Sequence, residues 1–415
     1  MSQPSDRTSP RYAMLHTMSP LQPSTTSIRR EATTRSATAP YLTSFVAMGV
    51  CTMLLGPSLE TFQKVSGSTT SDIGILFTAA SIGYLIGVTA SGQWVVRHSA
   101  HAALAIGIVL MAGAAALLPS MHSLAAIFAM QTMLGIGIGW IEIPANSAIL
   151  WRHGGGRAIN ALHASFAIGA VLAPVIIGRS LAWTDGLGTG YAVAAMLALT
   201  PLLLVVRAES PMNPHEDHGR GIPNGSHALV IIGAMFFALY VGVEITFAGW
   251  IYQYVEARGF ATAAGATAFG ATFLGAFAVG RIVGVPIAQR LTATRMLCLD
   301  HAIALGALAI VAIGRSSVAA LVTGTVLFGF GIASMFASML SLSEQHVAAT
   351  GTVTSVYLAG SSLGAMTLPW ATGKLLSRYG PNAFPAAAAA STLLTATAVV
   401  LFVATSQRTA RSSSA

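Results

Sequence analysis

The chain carries little charge. Of its 415 residues, 21 are lysine or arginine and 13 are aspartate or glutamate, so charged residues make up 8% against 54% hydrophobic. A soluble domain has roughly a quarter of its residues charged, and this composition excludes one. Cysteine is nearly absent. Cys51 and Cys298 both lie in apolar stretches, which leaves no disulfide framework or cysteine metal cluster and makes them small packing residues. The eleven histidines show no close metal-ligand spacing. No phosphate-binding glycine loop is present, so ATP-driven chemistry has no support, and no cofactor is called for. The net charge of +8 does not mark a nucleic-acid partner, because the basic residues are spread singly between apolar segments.

What is present is apolar length. Mean hydropathy is +0.70. Apolar segments run over 41–63, 72–96, 101–120, 123–150, 158–180 and 188–207, then over 228–254, 263–288, 296–314, 318–342, 349–373 and 383–405. A helix needs about 20 apolar residues to cross a bilayer. Only helices and closed barrels can cross one. The pattern predicts an all-α membrane protein of about twelve transmembrane helices in two six-helix bundles, 41–207 and 227–405. Residues 208–226, with Pro211, Pro214 and Pro223, read as a cytoplasmic linker. Residues 1–40, rich in Ser, Thr, Pro and Arg, read as a disordered cytoplasmic tail, with a transit peptide or an over-long gene start as alternatives. Residues 406–415 read as a second tail. No loop is large enough for a folded domain, which argues against an enzyme.

With the N-terminus placed inside, 14 basic residues fall on the inner segments and 6 on the outer ones. Both termini are therefore expected in the cytoplasm, with the protein in the cell membrane. One pattern occurs twice. Gly169-Ala170, Pro174, Gly178 and Arg179 return as Gly364-Ala365, Pro369, Gly373 and Lys374, each 195 residues later. A repeat of half the chain, with six spans between the copies, gives two halves in the same orientation, an arrangement that resembles the parallel repeat of the major facilitator fold. Gly83 with Gly87, and Gly280 with Gly284, read as helix-packing glycines.

Charge inside a membrane is costly and marks function by default. Glu142 precedes Trp151 by nine residues, which sets it about 13 Å deep. An acid there can take and release a proton, or serve as a structural carboxyl. Asn146 shares its helix face. Glu244 shares a face with Tyr240 and is followed by Trp250. It reads as a solute ligand beside an aromatic wall or as the ion-pair partner of Arg281. Arg281 itself reads as a structural charge. Asn160 and His163 lie about 10 Å or less from the inner edge. His163 could bond a solute hydroxyl or be satisfied by a neighbouring helix. Glu60 with Lys64 reads as an outer-edge pair, and Asp300 and His301 as interfacial.

These residues carry a resemblance. The stretch from Gly135 to Asn146 resembles the fourth helix of the fucose–proton symporter branch of the major facilitators, which includes the sodium-dependent glucose transporter-like proteins. Asn160 to His163 with Gly169 and Pro174 is similar to that branch's fifth helix, Tyr240 to Glu244 with Trp250 to its seventh, and Gly280 to Gly284 to its eighth. The resemblance covers nearly all of 41–405. It implies a proton-linked Glu142, with Asn146, Asn160, His163, Tyr240, Glu244 and Trp250 around a hexose-sized site. The sequence departs from the branch in its first helix, where Leu54 to Ser58 has no acid and Glu60 comes first. The expectation is a secondary transporter of a sugar or similar small polar solute with H+ or Na+, acting as a monomer in the bilayer. An exporter of a metabolite or drug is the alternative within transport. A non-transporting sensor or assembly factor on the same fold is the alternative outside it.

Overall fold

The computed structural model describes residues 25–153, 157–211, 226–314, 316–347 and 351–414. Among them there is no strand. The first half holds α1 (Thr25–Thr52), α2 (Leu55–Ser66), α3 (Thr70–Ile73), α4 (Ile75–Arg97), α5 (Ala100–Leu117), α6 (Leu124–His153), α7 (Arg157–Thr184) and α8 (Gly188–Arg207). The second holds α9 (His227–Ala257), α10 (Ala263–Ala288), α11 (Ala293–Ile313), α12 (Val318–Ile332), α13 (Met335–Glu344), α14 (Gly351–Tyr379) and α15 (Ala383–Ser414). Among the described residues, ten helical stretches are long and apolar enough to cross a membrane, and α1 with α2, bent by 40°, makes an eleventh. The remaining expected span, 349–373, falls in α14, which is 29 residues long and is not among these stretches. It is more polar, with Ser361 and Ser362 turned to an internal cavity.

Helix α1 begins at Thr25, inside the stretch read as tail, and α15 runs to Ser414, past the expected end of the last span. Residues 1–24 of the expected tail and 212–225 of the expected linker lie outside the described residues.

The helices meet backbone to backbone. In lipid, apolar surface gives no drive for helices to associate, so small residues that permit close approach must do so. A Cβ at Gly83 would strike the Thr132 carbonyl, and one at Gly135 would strike that of Ala80, which locks α4 to α6. A Cβ at Gly280 would meet the Phe330 carbonyl and Ala333, between α10 and α12. The repeated glycines do the same work in both halves. Gly169 lies against the Val46 carbonyl on α1, and Gly364 against the Ala238 carbonyl on α9. Helices α7 and α14 run on through Pro174 and Pro369.

The halves join at one end. There Trp250 is fully buried, donates from Nε1 to the Pro369 carbonyl at 2.9 Å and packs on Phe77 with ring centroids 6.0 Å apart. Gly74 and Gly373 leave room for its indole. Thr78 bonds the Met366 carbonyl at 3.0 Å, Gln253 bonds Gln63 at 3.3 Å and Lys374 bonds Ser71 at 3.1 Å. Trp250 is thus the plug of a sealed end.

Two outcomes are expected from this packing. Gly364→Val drives side-chain atoms into α9 and lowers stability by about 1–3 kcal/mol, read as a fall in melting temperature in detergent. Gly275→Ala, in open space, is the neutral control. Trp250→Ala empties the plug and costs about 3–5 kcal/mol in the same assay. Trp183→Ala, with Trp183 73% exposed, changes stability by about 0.5 kcal/mol or less.

Candidate functional site

A cavity of about 260 Å³ lies between the halves, next to the Phe77–Trp250 seal. The first half lines it with α1, α4, α6 and α7, and the second with α9 and α14. Leu358, on its α14 wall, is 41% exposed. The cavity therefore opens away from the sealed end, toward the start of α14.

Helix α6 owes its orientation to its glycines. Gly135 and Gly139 press on α4, and Gly137 presses on the Met111 backbone of α5. These contacts occupy two sides of α6. Its remaining side presents Gln131, Ile138 and Glu142 to the cavity, with Gly135 at the edge. Pro144 lies within the helix two residues beyond Glu142. Lacking an N–H, it leaves the Trp140 carbonyl without its helical partner and loosens the ladder beside the acid. Glu142 is half-buried, and the Tyr84 hydroxyl of α4 lies near its carboxylate without a hydrogen bond of good geometry.

Gln131 is the polar residue that the sequence reading missed. It is 2% exposed, lines the cavity, and its Oε1 has no hydrogen-bond partner among the described residues. It lies eleven residues before Glu142, about 16 Å along the helix and nearer the seal. Stepping back from Glu142 by four, three and four residues would have found it. Ser81, Thr52, Ser361 and Ser362 add hydroxyls to the wall.

The other expected residues lie elsewhere. The Asn146 amide donates to the Glu142 backbone carbonyl at 2.9 Å and is not part of the wall. The Asn160 side chain lies outside the described residues. His163 is exposed, edge-on to Phe45 at 5.8 Å, and feels the charge of Arg281 in the other half. Glu244 faces Tyr240 and is attracted by Arg281 without a contact ion pair. Tyr240 is fully buried and stacked on Phe236. Its hydroxyl sits between Glu244 and Arg281 with no hydrogen bond of good geometry to either. Arg281 lies 4.4 Å from the Phe277 ring centre. Trp250 belongs to the seal.

Asp300 and His301, expected at an interface, are buried instead, at 3% and 6% exposure. Ser334 donates to the Asp300 carboxylate at 2.8 Å, and His301 Nε2 lies 3.0 Å from the Thr395 hydroxyl. Burial of Asp300 is tolerated because a hydrogen-bond donor from the α12–α13 break reaches it. Cys51 is buried as expected, whereas Cys298 is exposed. Among the described residues no group of three or more His, Cys, Asp and Glu side chains could hold a metal ion.

This architecture has relatives. Sodium-dependent glucose transporter 1A of Mus musculus is 25% identical over 380 residues, covering 81% of this chain and 88% of its own. Sodium-dependent glucose transporter 1 of Homo sapiens is 22% identical over 376 residues, 81% of this chain and 73% of its own. Among solved structures, a D-xylose–proton symporter superposes with a TM-score of 0.71 at 15% identity, covering 87% of this chain and 97% of that one. A nucleoside transporter superposes with a TM-score of 0.68 at 13% identity, covering 89% and 98%. The Major Facilitator Superfamily family model matches residues 41–369. With a helical bundle in two halves, a repeat of half the chain and a cavity between the copies, this chain belongs to the Major Facilitator Superfamily.

Proposed function

We propose that the protein is a secondary transporter of a sugar or similarly small polar solute, coupled to protons through Glu142, that exposes its cavity to each side of the membrane in turn. The observation that carries this reading is Glu142 itself, an acid inside the bilayer that lines a cavity open toward one end. The repeat gives it no twin, since the corresponding position in the second half is Phe336. The cavity volume lies just below the range of about 300–1,000 Å³ usual for ligand pockets, which suits one hexose-sized solute. Gln131 near the seal and Glu142 near the mouth put polar groups at the two ends of the cavity. The names of the sugar-transporting relatives agree with this.

By the arginine distribution the sealed end faces outward, both termini lie in the cytoplasm of a cell-membrane protein, and the structure is the inward-open state of a monomer. In this state the cavity receives its solute contacts from Gln131, Tyr84 and the wall hydroxyls. His163, Glu244, Tyr240 and Arg281 lie outside the wall, and we assign them to charge balance between the halves as the transporter rocks. A second reading, export of an amphipathic metabolite or drug, draws on the apolar remainder of the wall, which includes Met48, Met53, Ile138, Phe166 and Ile245.

In proteoliposomes with an inward proton gradient, D-glucose or D-xylose should accumulate with the native protein. Glu142→Gln should abolish accumulation and leave solute counterflow in place, because only the proton step is removed. Accumulation retained in Glu142→Gln would overturn the assignment. Gln131→Ala should raise the half-saturating solute concentration about tenfold, the value of one lost buried hydrogen bond of about 1.4 kcal/mol. A thermal-shift screen separates the two readings, because stabilisation by amphipaths and not by sugars would favour export.

A further inference from the structure

The sealed end closes on glycine. Five glycines there face the opposite half, and a Cβ added at any of them would meet it. At Gly56, on α2, the added atom would lie 2.7 Å from the Ala248 carbonyl oxygen, 2.7 Å from Tyr252 Cε2 and 3.2 Å from Gly249 Cα, all on α9. At Gly249 it would strike the Phe77 ring of α4, which is itself packed on Trp250. At Gly74 it would lie 3.2 Å from the Trp250 ring and 3.4 Å from Trp370 Cα. The repeat supplies the other two. Gly178 on α7 faces Thr267, in the first turns of α10 beside the end of α9, and Gly373 on α14 faces the Trp250 ring and, at 3.1 Å, the Thr70 carbonyl of α3. The first glycines of the repeat, Gly169 and Gly364, meet their own half instead. Ordinary van der Waals contact for a Cβ begins at 3.4 Å. At Gly56 the obstruction is largely backbone, which no side-chain rotation removes, so room comes only from parting α2 and α9. Gly56, Gly249 and Phe77 also line the cavity, so this contact is its floor.

We propose that these glycines form a closure seam, in which the sealed end shuts because the two halves meet there without side chains, and in which one added methyl group shifts the protein toward the state open at this end. Close approach of two backbones requires glycine. When the halves part, the same positions face the widened space, where a methyl group costs little. The substitution therefore acts on the closed state alone, and a difference between two states is what moves their populations. The repeat divides its work accordingly. Its first glycine, Gly169 or Gly364, holds a half together, and its last, Gly178 or Gly373, holds the halves to each other. The seam rests on the alternating exposure proposed above, and not on Glu142 or on the identity of the solute.

The test is the distance between spin labels at Val65→Cys and Tyr379→Cys, exposed positions at the sealed end of each half (44% and 64% exposed). The full chain would carry Cys298→Ser and be reconstituted in lipid nanodiscs without solute. In Gly56→Ala the open-to-closed ratio should rise about tenfold or more, toward the low end of what overpacking by one methyl group costs. Gly373→Ala should shift the ratio in the same direction, which keeps the test sound if Gly56→Ala misfolds. Gly169→Ala, whose Cβ strikes the Val46 carbonyl within the first half, should lower the melting temperature and leave the ratio unchanged. An open fraction in the parent protein that Gly56→Ala and Gly373→Ala leave unchanged would overturn the seam alone. Equal opening in Gly169→Ala would also overturn it, because closure would then follow general stability. One closed distance in the parent and in every variant would overturn the alternating exposure together with the seam.

Discussion

Backbone contact between α4 and α6 is the constraint on which the cavity depends. Gly83 and Gly87 on one helix meet Gly135 and Gly139 on the other, so neither backbone has a side chain to hold it off. With one side of α6 given to α4 and another to α5, the side bearing Gln131 and Glu142 has only the space between the halves to face. The same approach brings Tyr84 of α4 to the Glu142 carboxylate. A single added methyl group on this interface would move the acid, Tyr84 and the cavity wall together.

The two halves share a scaffold but not a chemistry. Gly169 and Gly364 perform matching tasks, each seated against a carbonyl of the first long helix of its own half. At the position matching Glu142, the second half has Phe336, packed 4.7 Å from Phe237. Elsewhere in this half the core is aromatic too, with the Phe247 ring centre within 5.1 Å of those of Phe273, Phe328 and Phe384. Interlocked rings make a stiff core. The second half's share of the cavity wall is small and aliphatic, with Val241, Ile245, Ala248 and Leu358 beside the Ser361 and Ser362 hydroxyls, and it faces the acid, amide and hydroxyls of the first half.

The closed end combines an apolar plug with a polar rim. Trp250 fills the centre and excludes water, and its one polar atom is satisfied by the Pro369 carbonyl. Around it, Gln63 with Gln253 and Lys374 with Ser71 make polar contacts across the two halves.

Much of this was legible in the residue order. Apolar length, the repeat of 195 residues, the packing glycines and the exceptional depth of Glu142 all follow from local composition and helical spacing, which survive whatever the helices later pack against. Partnership did not follow. Trp250, expected at a solute, is the plug, because the side of α9 that bears it turns to Phe77 and Pro369 in chain-distant helices. Gln131 looked like one polar residue in an apolar run until α4 and α5 covered the other sides of α6. Gln63 and Gln253, 190 residues apart, became a pair only when the halves met. The sequence by itself determined which helices form and which residues are costly in lipid, since both depend on each helix alone. Only the tertiary structure decided which of those residues face the cavity, the seal or each other, because that depends on how helices from two halves rotate into contact.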